Sequence, residues 1–186
     1  MSEQKRLFVA VDISNEARQM AARYIDEFRG LFPAAQCKWV SSENLHITAW
    51  FIGNVDDTGF ASWTENVLAT ANGVTPFTVE LSGTGKFSQH RQRSDVLWLG
   101  ARAEPPDSFV QIGLYLMEDK RVKPHLTIGR LKDSPAASEL VAAHLSGGFG
   151  PVSFRVDELV IYESKLTPSG SIYTPIYTAK LKGTTN

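Results

Sequence analysis

The tripeptide His-apolar-Thr occurs twice, as His46-Ile-Thr48 and His125-Leu-Thr127, 79 positions apart. Each copy sits in a short apolar run that reads as a β-strand. A strand turns residues i and i+2 to one face. Each imidazole is therefore expected beside a threonine hydroxyl, with Ile47 and Leu126 turned into the core. With thirteen Thr in 186 residues, a Thr two places after a given His arises by chance about one time in fourteen. Two of the four His have one. Two strands that each carry an imidazole beside a hydroxyl point to one symmetric site.

The flanking sequence repeats too. Residues 7–11 read as a buried strand, and Ser14 caps a helix on which Ala17, Met20, Ala21, Tyr24, Ile25 and Phe28 recur at helical spacing until Gly30. Residues 38–40 and 45–52 are expected to form a strand pair with 41–44 as its turn. Asp57 or Thr58 caps a second helix that ends at Gly73. Strands follow at 77–81 and 96–101, separated by a glycine-bearing basic loop at 82–94. Pro105-Pro106 breaks the chain before a short helix around Phe109, Ile112 and Leu116, and 122–131 holds the second motif. Ser134-Pro135 starts a helix stopped by Gly147-Gly148, and the last strands are 152–162 and 172–181.

Strand, helix, then strand with His-x-Thr thus happens twice. Phe8 to His46 spans 38 residues and Trp98 to His125 spans 27. The strands are too closely spaced for all-parallel crossovers. The expected fold class is α+β: two similar lobes, each an antiparallel sheet with helices on its outer face, around a central cleft. Residues 1–186 are read as a single domain made of these two pseudo-symmetric lobes.

A net charge of −1 gives no global basic field, so any attraction for phosphate is local. Cys37 is the only cysteine, which excludes an intrachain disulfide. The first strand begins too early for a signal peptide, and no apolar stretch approaches a membrane span. A cytoplasmic monomer is expected.

The His pair admits several chemical readings. A His on a half-buried strand can be structural, satisfied by a neighbour. A zinc site is disfavoured, because the motifs lack His-x-His, a nearby Cys or a carboxylate and Thr is a poor zinc ligand. A Ser-His-Asp triad lacks its Gly-x-Ser-x-Gly turn. Two His without metal suit a reaction that needs one base and one acid at neutral pH. The opening of a strained cyclic phosphate by water is such a reaction: a neutral His deprotonates water and a charged His protonates the departing sugar oxygen. The Thr hydroxyls donate to the non-bridging oxygens, where charge builds.

The chain resembles the 2H phosphoesterases, and among them the RNA 2′,3′-cyclic phosphodiesterase (LigT-like) branch. The resemblance rests on Arg6-Leu-Phe-Val-Ala-Val, Trp39-Val-Ser-Ser-Glu-Asn-Leu-His-Ile-Thr and Val96-Leu-Trp-Leu-Gly. It continues in Lys123-Pro-His-Leu-Thr-Ile-Gly-Arg130 and Leu159-Val-Ile-Tyr-Glu-Ser-Lys-Leu-Thr-Pro-Ser-Gly. It implies two lobes around a cleft and metal-independent hydrolysis of RNA 2′,3′-cyclic phosphate ends to 2′-phosphates, without a cofactor. It also implies, for some members, joining of tRNA halves through a 2′,5′ linkage. By the same resemblance His46 is the proton donor and His125 the proton acceptor. A small cyclic or 2′,5′-linked nucleotide as substrate, or a non-catalytic module that binds RNA ends, remains an alternative.

Further residues are candidates for substrate binding. Arg130 matches a family arginine, yet strand parity sets it on the face opposite His125 unless Gly129 ends or bulges the strand. Trp50 shares a face with His46 and Thr48 by parity and is a candidate platform for a base, or a core residue. Lys86, Phe87, Arg91 and Arg93, with His90, form a local basic and aromatic loop where RNA contact is expected, or a merely solvated one. His144 reads as structural, and Tyr162 and Lys165 are given no chemistry. The segment 100–123 is shorter than the family implies, so its helix is expected to run two or three turns and to leave the cleft more open.

Overall fold

Hydrophobic alternation sets the strands and capped amphipathic runs set the helices. Val152–Val156 is buried at every second residue, the pattern of a strand with one face on the core. Ser14 caps the first helix by accepting from the Ala17 N–H, and Ala17, Ala21, Ile25 and Phe28 form its buried stripe. The structure, a computed structural model, describes residues 4–89, 94–117, 122–168 and 170–183. In chain order the elements are β1 (Lys5–Asp12), α1 (Asn15–Leu31), β2 (Cys37–Trp39), a 3-10 turn (Ser42–Asn44) and β3 (His46–Val55). Then come α2 (Asp57–Gly73), β4 (Phe77–Gln89), β5 (Ser94–Glu104), α3 (Ser108–Met117) and β6 (His125–Lys132). The chain ends with α4 (Pro135–Ser146), β7 (Val152–Val156), β8 (Glu158–Thr167) and β9 (Gly170–Lys180).

The strands form one antiparallel sheet in the order β7-β4-β5-β6-β3-β1-β8-β9, with β2 paired to β6 beside β3. It divides into two halves of like build, β9-β8-β1-β3 and β6-β5-β4-β7. They join where Ile47 of β3 pairs with Leu126 of β6. Helices α2 and α3 pack on the first half and on each other, whereas α1 and α4 pack on the second, against β7 and β4. Helix α1 therefore leaves β1 in one half and covers the other, and α3 leaves β5 and does the reverse. The strand–helix–strand repeat is real, and each unit lends its helix to its twin. No helix among the described residues is long and apolar enough to cross a membrane.

Four local expectations are corrected. Residues 82–89 are not loop: β4 runs to Gln89 and pairs with β5 as far as Gln89↔Ser94. The strand steps over Gly83, whose φ of 72° suits glycine, at the register shift between Leu81 and Thr84. The short strand after Pro33 pairs with β6 and not with β3, because the 3-10 turn carries the chain round between them. Asp56, one residue before the expected caps, accepts from the Gly59 N–H. Residues 152–162 are two strands, broken at Asp157, so that β7 extends one half and β8 the other. Helix α3 has 10 residues, close to three turns. It packs on α2 and β3 through buried Phe109, Ile112 and Leu116. Its shortness therefore does not open a cleft on the other side of the sheet.

His144 is structural, as expected. It is fully buried, with Nε2 3.0 Å from the Gly85 carbonyl and Nδ1 2.8 Å from the Tyr24 hydroxyl. A neutral ring satisfies both, donating from Nε2 and accepting at Nδ1. Burial holds its pKa below the ordinary value. Above about pH 6.5 this His is neutral folded and unfolded alike; below it the unfolded chain binds a proton that the folded chain refuses, so stability falls. His144→Leu strands the Gly85 carbonyl and Tyr24 hydroxyl and is predicted to cost about 1–3 kcal/mol at neutral pH. Urea unfolding should also show that the variant loses less stability than the parent on acidification through about pH 6.5 to 5.

Candidate active site

The two motifs meet at the junction of the halves. Ile47 and Leu126 are antiparallel partners and fully buried. Continuing that pairing one residue each way sets His46 opposite Thr127 and Thr48 opposite His125. Each imidazole thus stands beside its own Thr and across from the other's, on the sheet face opposite the helices. A cavity of about 510 Å³ opens there, lined by His46, Thr48, Phe51, Thr127, Arg130 and Tyr173 among others.

Matching β-bulges follow both motifs. On β3 the partners step from Ala10↔Thr48 to Val9↔Trp50, which leaves Ala49 as the extra residue. On β6 they step from Trp98↔Thr127 to Leu97↔Gly129, which leaves Ile128 extra. A bulge reverses strand parity beyond it. It turns Arg130 to the face of His125 and Thr127, where Arg130 lines the cavity. The bulge anticipated at Gly129 exists, one residue earlier. The same geometry contradicts the placing of Trp50. Trp50 lies opposite Val9 and packs against the helix-side core. Phe51 takes the cleft position instead, opposite Phe8 and 68% exposed.

Both imidazoles are locked in one orientation by the same device. Nδ1 of His46 is 2.7 Å from the Asn44 carbonyl, and Nδ1 of His125 is 2.7 Å from the Lys123 carbonyl. A carbonyl only accepts, so Nδ1 carries a proton and Nε2 is the nitrogen left for chemistry. Nε2 of His46 is 3.0 Å from Thr48 Oγ1. Rings wall both sites. Phe8 stacks on His46 at 4.8 Å, with Tyr173 edge-on at 5.3 Å and Tyr162 at 6.1 Å. Phe87 stands edge-on to His125 at 4.9 Å. This burial holds both His below their ordinary pKa.

Charge divides what geometry makes alike. His46 is the register partner of Asp12, and His125 that of Gly100. The Asp12 carboxylate favours the protonated form of His46, and nothing of its kind stands at Gly100. Asp12 is held by a 2.6 Å hydrogen bond from the Tyr162 hydroxyl. Arg130 disfavours protonation of His125. At the position equivalent to Arg130 the other half carries Phe51.

The remaining candidates divide. Phe87 joins the site as a wall of His125. Lys86, its neighbour in β4, does not: it pairs with Asp95 at 2.7 Å and lines a separate cavity beneath α4 with Ala137 and Val141. Alternation along β4, extended where a loop was expected, sends the two side chains to opposite faces. Arg91 and Arg93, with His90, lie outside the described residues. Burial pushes the Cys37 thiol up to about 12, which leaves it unreactive. Asp12, Phe8, Phe51 and Tyr173 escaped the sequence reading. Only strand register brings them to the site, although Phe8 lies within the quoted N-terminal strand, Asp12 directly follows it and Phe51 adjoins Trp50.

Nitrogen-detected NMR tests this arrangement. At alkaline pH His46 and His125 are predicted as Nδ1–H tautomers and His144 as Nε2–H. All three should titrate below about 6.5, the ordinary value.

Known proteins share this sequence and fold. The chain is 35% identical to the RNA 2′,3′-cyclic phosphodiesterase of Methanothermobacter thermautotrophicus, over 95% of this chain and 98% of the relative. It is 31% identical to the protein of the same name from Thermotoga maritima, over 96% of each. Among solved structures it is similar to TT0787 of Thermus thermophilus, with a TM-score of 0.75 at 25% identity over 96% of this chain and 98% of the other. The crystal structure of Escherichia coli LigT with phosphate superposes with a TM-score of 0.73 at 30% identity, over 97% of this chain and 99% of that one. The sequence model of the 2′-5′ RNA ligase superfamily matches residues 17–167, and the chain belongs to that superfamily.

Proposed function

We propose that the chain hydrolyses 2′,3′-cyclic phosphate ends of RNA to 2′-phosphates, with His46 as general acid and His125 as general base. One observation carries the reading. Two imidazoles, each locked through Nδ1 with Nε2 available, face one site across a pair of threonines. The names of the relatives and the phosphate and 3′-AMP complexes of the E. coli protein support a phosphate ester as ligand.

The substrate anion sits between Thr48 and Thr127, whose hydroxyls donate to the non-bridging oxygens. His125, kept neutral by burial and by Arg130, takes a proton from water through Nε2. The water oxygen attacks phosphorus as the bond to the sugar 3′-oxygen breaks. His46 gives its Nε2 proton to that oxygen, which leaves a 3′-hydroxyl and a 2′-phosphate. Two neutral His would lack the acid. The bound anion supplies what is missing: with Asp12 it draws a proton onto His46. Arg130 holds the phosphate, Phe51 offers an exposed ring for the terminal base, and Phe87 steadies His125. A 5′-hydroxyl in place of water would join two RNA ends, such as tRNA halves, through a 2′,5′ linkage by the same proton transfers. In this reading the two halves work as one unit, and the two His supply both proton transfers without calling on a metal or cofactor.

The test is to incubate the protein with a 2′,3′-cyclic nucleotide and with a cyclic-ended oligonucleotide, in excess chelator, and to identify the product. A 2′-phosphate is expected, and His46→Ala and His125→Ala should each slow turnover by about a hundred- to ten-thousandfold. A 3′-phosphate product, or no ring opening of either substrate, contradicts the reading.

A further inference from the structure

Lys38 of β2 and Arg130 of β6 are direct antiparallel partners, so their side chains leave the sheet on one face. Like charges so placed repel. Among the described residues neither makes an ion pair. Both are exposed. Folding tolerates the pair but does not need it, and an anion between the two would turn repulsion into attraction.

The surroundings show which way such an anion would extend. Arg130 lines the cavity that His46, Thr48 and Thr127 line and also a second cavity, of about 440 Å³, which Lys38 and Trp39 line but neither motif reaches. Asn44, Ser171 and Tyr173 also line both, so the two cavities form one groove with Arg130 at the junction. Asn44 fixes that wall by donating to the Ser171 carbonyl at 2.8 Å. Glu43 lines the outer cavity as well. Its carboxyl is held below the ordinary range by its own backbone N–H and the Ser41 hydroxyl, with Arg18 nearby, and it makes no ion pair with Lys38 among the described residues.

We propose that Lys38 and Arg130 together hold the phosphodiester on the 5′ side of the terminal nucleotide, and that the outer cavity receives the preceding nucleoside. This rests on the reading that the inner cavity takes the cyclic phosphate. The consequence is a preference for RNA chains over mononucleotides, set by a residue distant from the two His. Lys contacts a phosphate as a point charge and carries no base information, so the preference is independent of sequence.

The experiment compares kcat/KM for a 2′,3′-cyclic mononucleotide and for a dinucleotide with the same cyclic end, in the parent protein and in Lys38→Gln. The parent is expected to favour the dinucleotide, and Lys38→Gln to lose about tenfold on it through KM, with the mononucleotide as internal reference. The salt dependence of the dinucleotide reaction should weaken by about one phosphate contact. A dinucleotide with an uncharged methylphosphonate linkage should erase the difference between the two proteins. The thermal midpoint of Lys38→Gln should not fall, because a repulsion is removed. Equal use of both substrates by the parent, or an unchanged preference in Lys38→Gln, overturns the proposal and leaves the cyclic-phosphate reading intact. If neither substrate turns over, that reading fails. The groove is then judged by the same comparison of binding, with 2′-phosphorylated mono- and dinucleotides, and equal affinities overturn it.

Discussion

Everything in this molecule turns on the pairing of Ile47 with Leu126. It is the register contact that joins the two halves of the sheet, and it is made by the middle residues of the two motifs. Both side chains are buried on the helix side. Strand alternation then leaves their neighbours, two His and two Thr, no direction but the cleft. Core formation and assembly of the site are one event. The exchange of α1 and α3 between the halves adds to this, since neither half buries its helix-side face with its own helix alone.

A symmetric frame creates a chemical problem, because two identical His cannot serve as acid and base at once. The chain resolves it through side chains at equivalent register positions. Asp12 faces His46 where Gly100 faces His125, and Arg130 stands where the other half has Phe51. Burial lowers the pKa of both His; Asp12 opposes that at His46 and Arg130 adds to it at His125. The locks on Nδ1 belong to the shared frame, for each is a carbonyl two residues before its His. The tilt belongs to the sequence differences between the halves.

The sequence shows the repeat, the antiparallel halves and the four motif residues, because those depend only on local period and composition. What it hides is relational. A bulge exists only relative to a partner strand, so no inspection of 46–55 alone reveals that Ala49 is extra and that Phe51 replaces Trp50 in the cleft. Arg130 is half legible, because Gly129 marks a break in period but not its direction. Lys86 misleads for a different reason. Glycines and polar residues around it have the composition of a loop, yet pairing with β5 makes a strand of them and sends Lys86 to α4. Asp12 is visible as the end of the first strand, but its meaning depends on facing His46.

The central claim is that the surroundings, and not the motifs, assign acid and base. The most direct measurement is the pH dependence of kcat/KM on a cyclic mononucleotide in the parent, Asp12→Asn and Arg130→Gln. The acid limb reports the base, His125, and the alkaline limb the acid, His46. Without Asp12 the protonated form of His46 loses support, so the alkaline limb alone should move to lower pH. Without Arg130 His125 protonates more readily, so the acid limb alone should move to higher pH. Limbs that move together, or the opposite limb moving in either variant, would contradict the account.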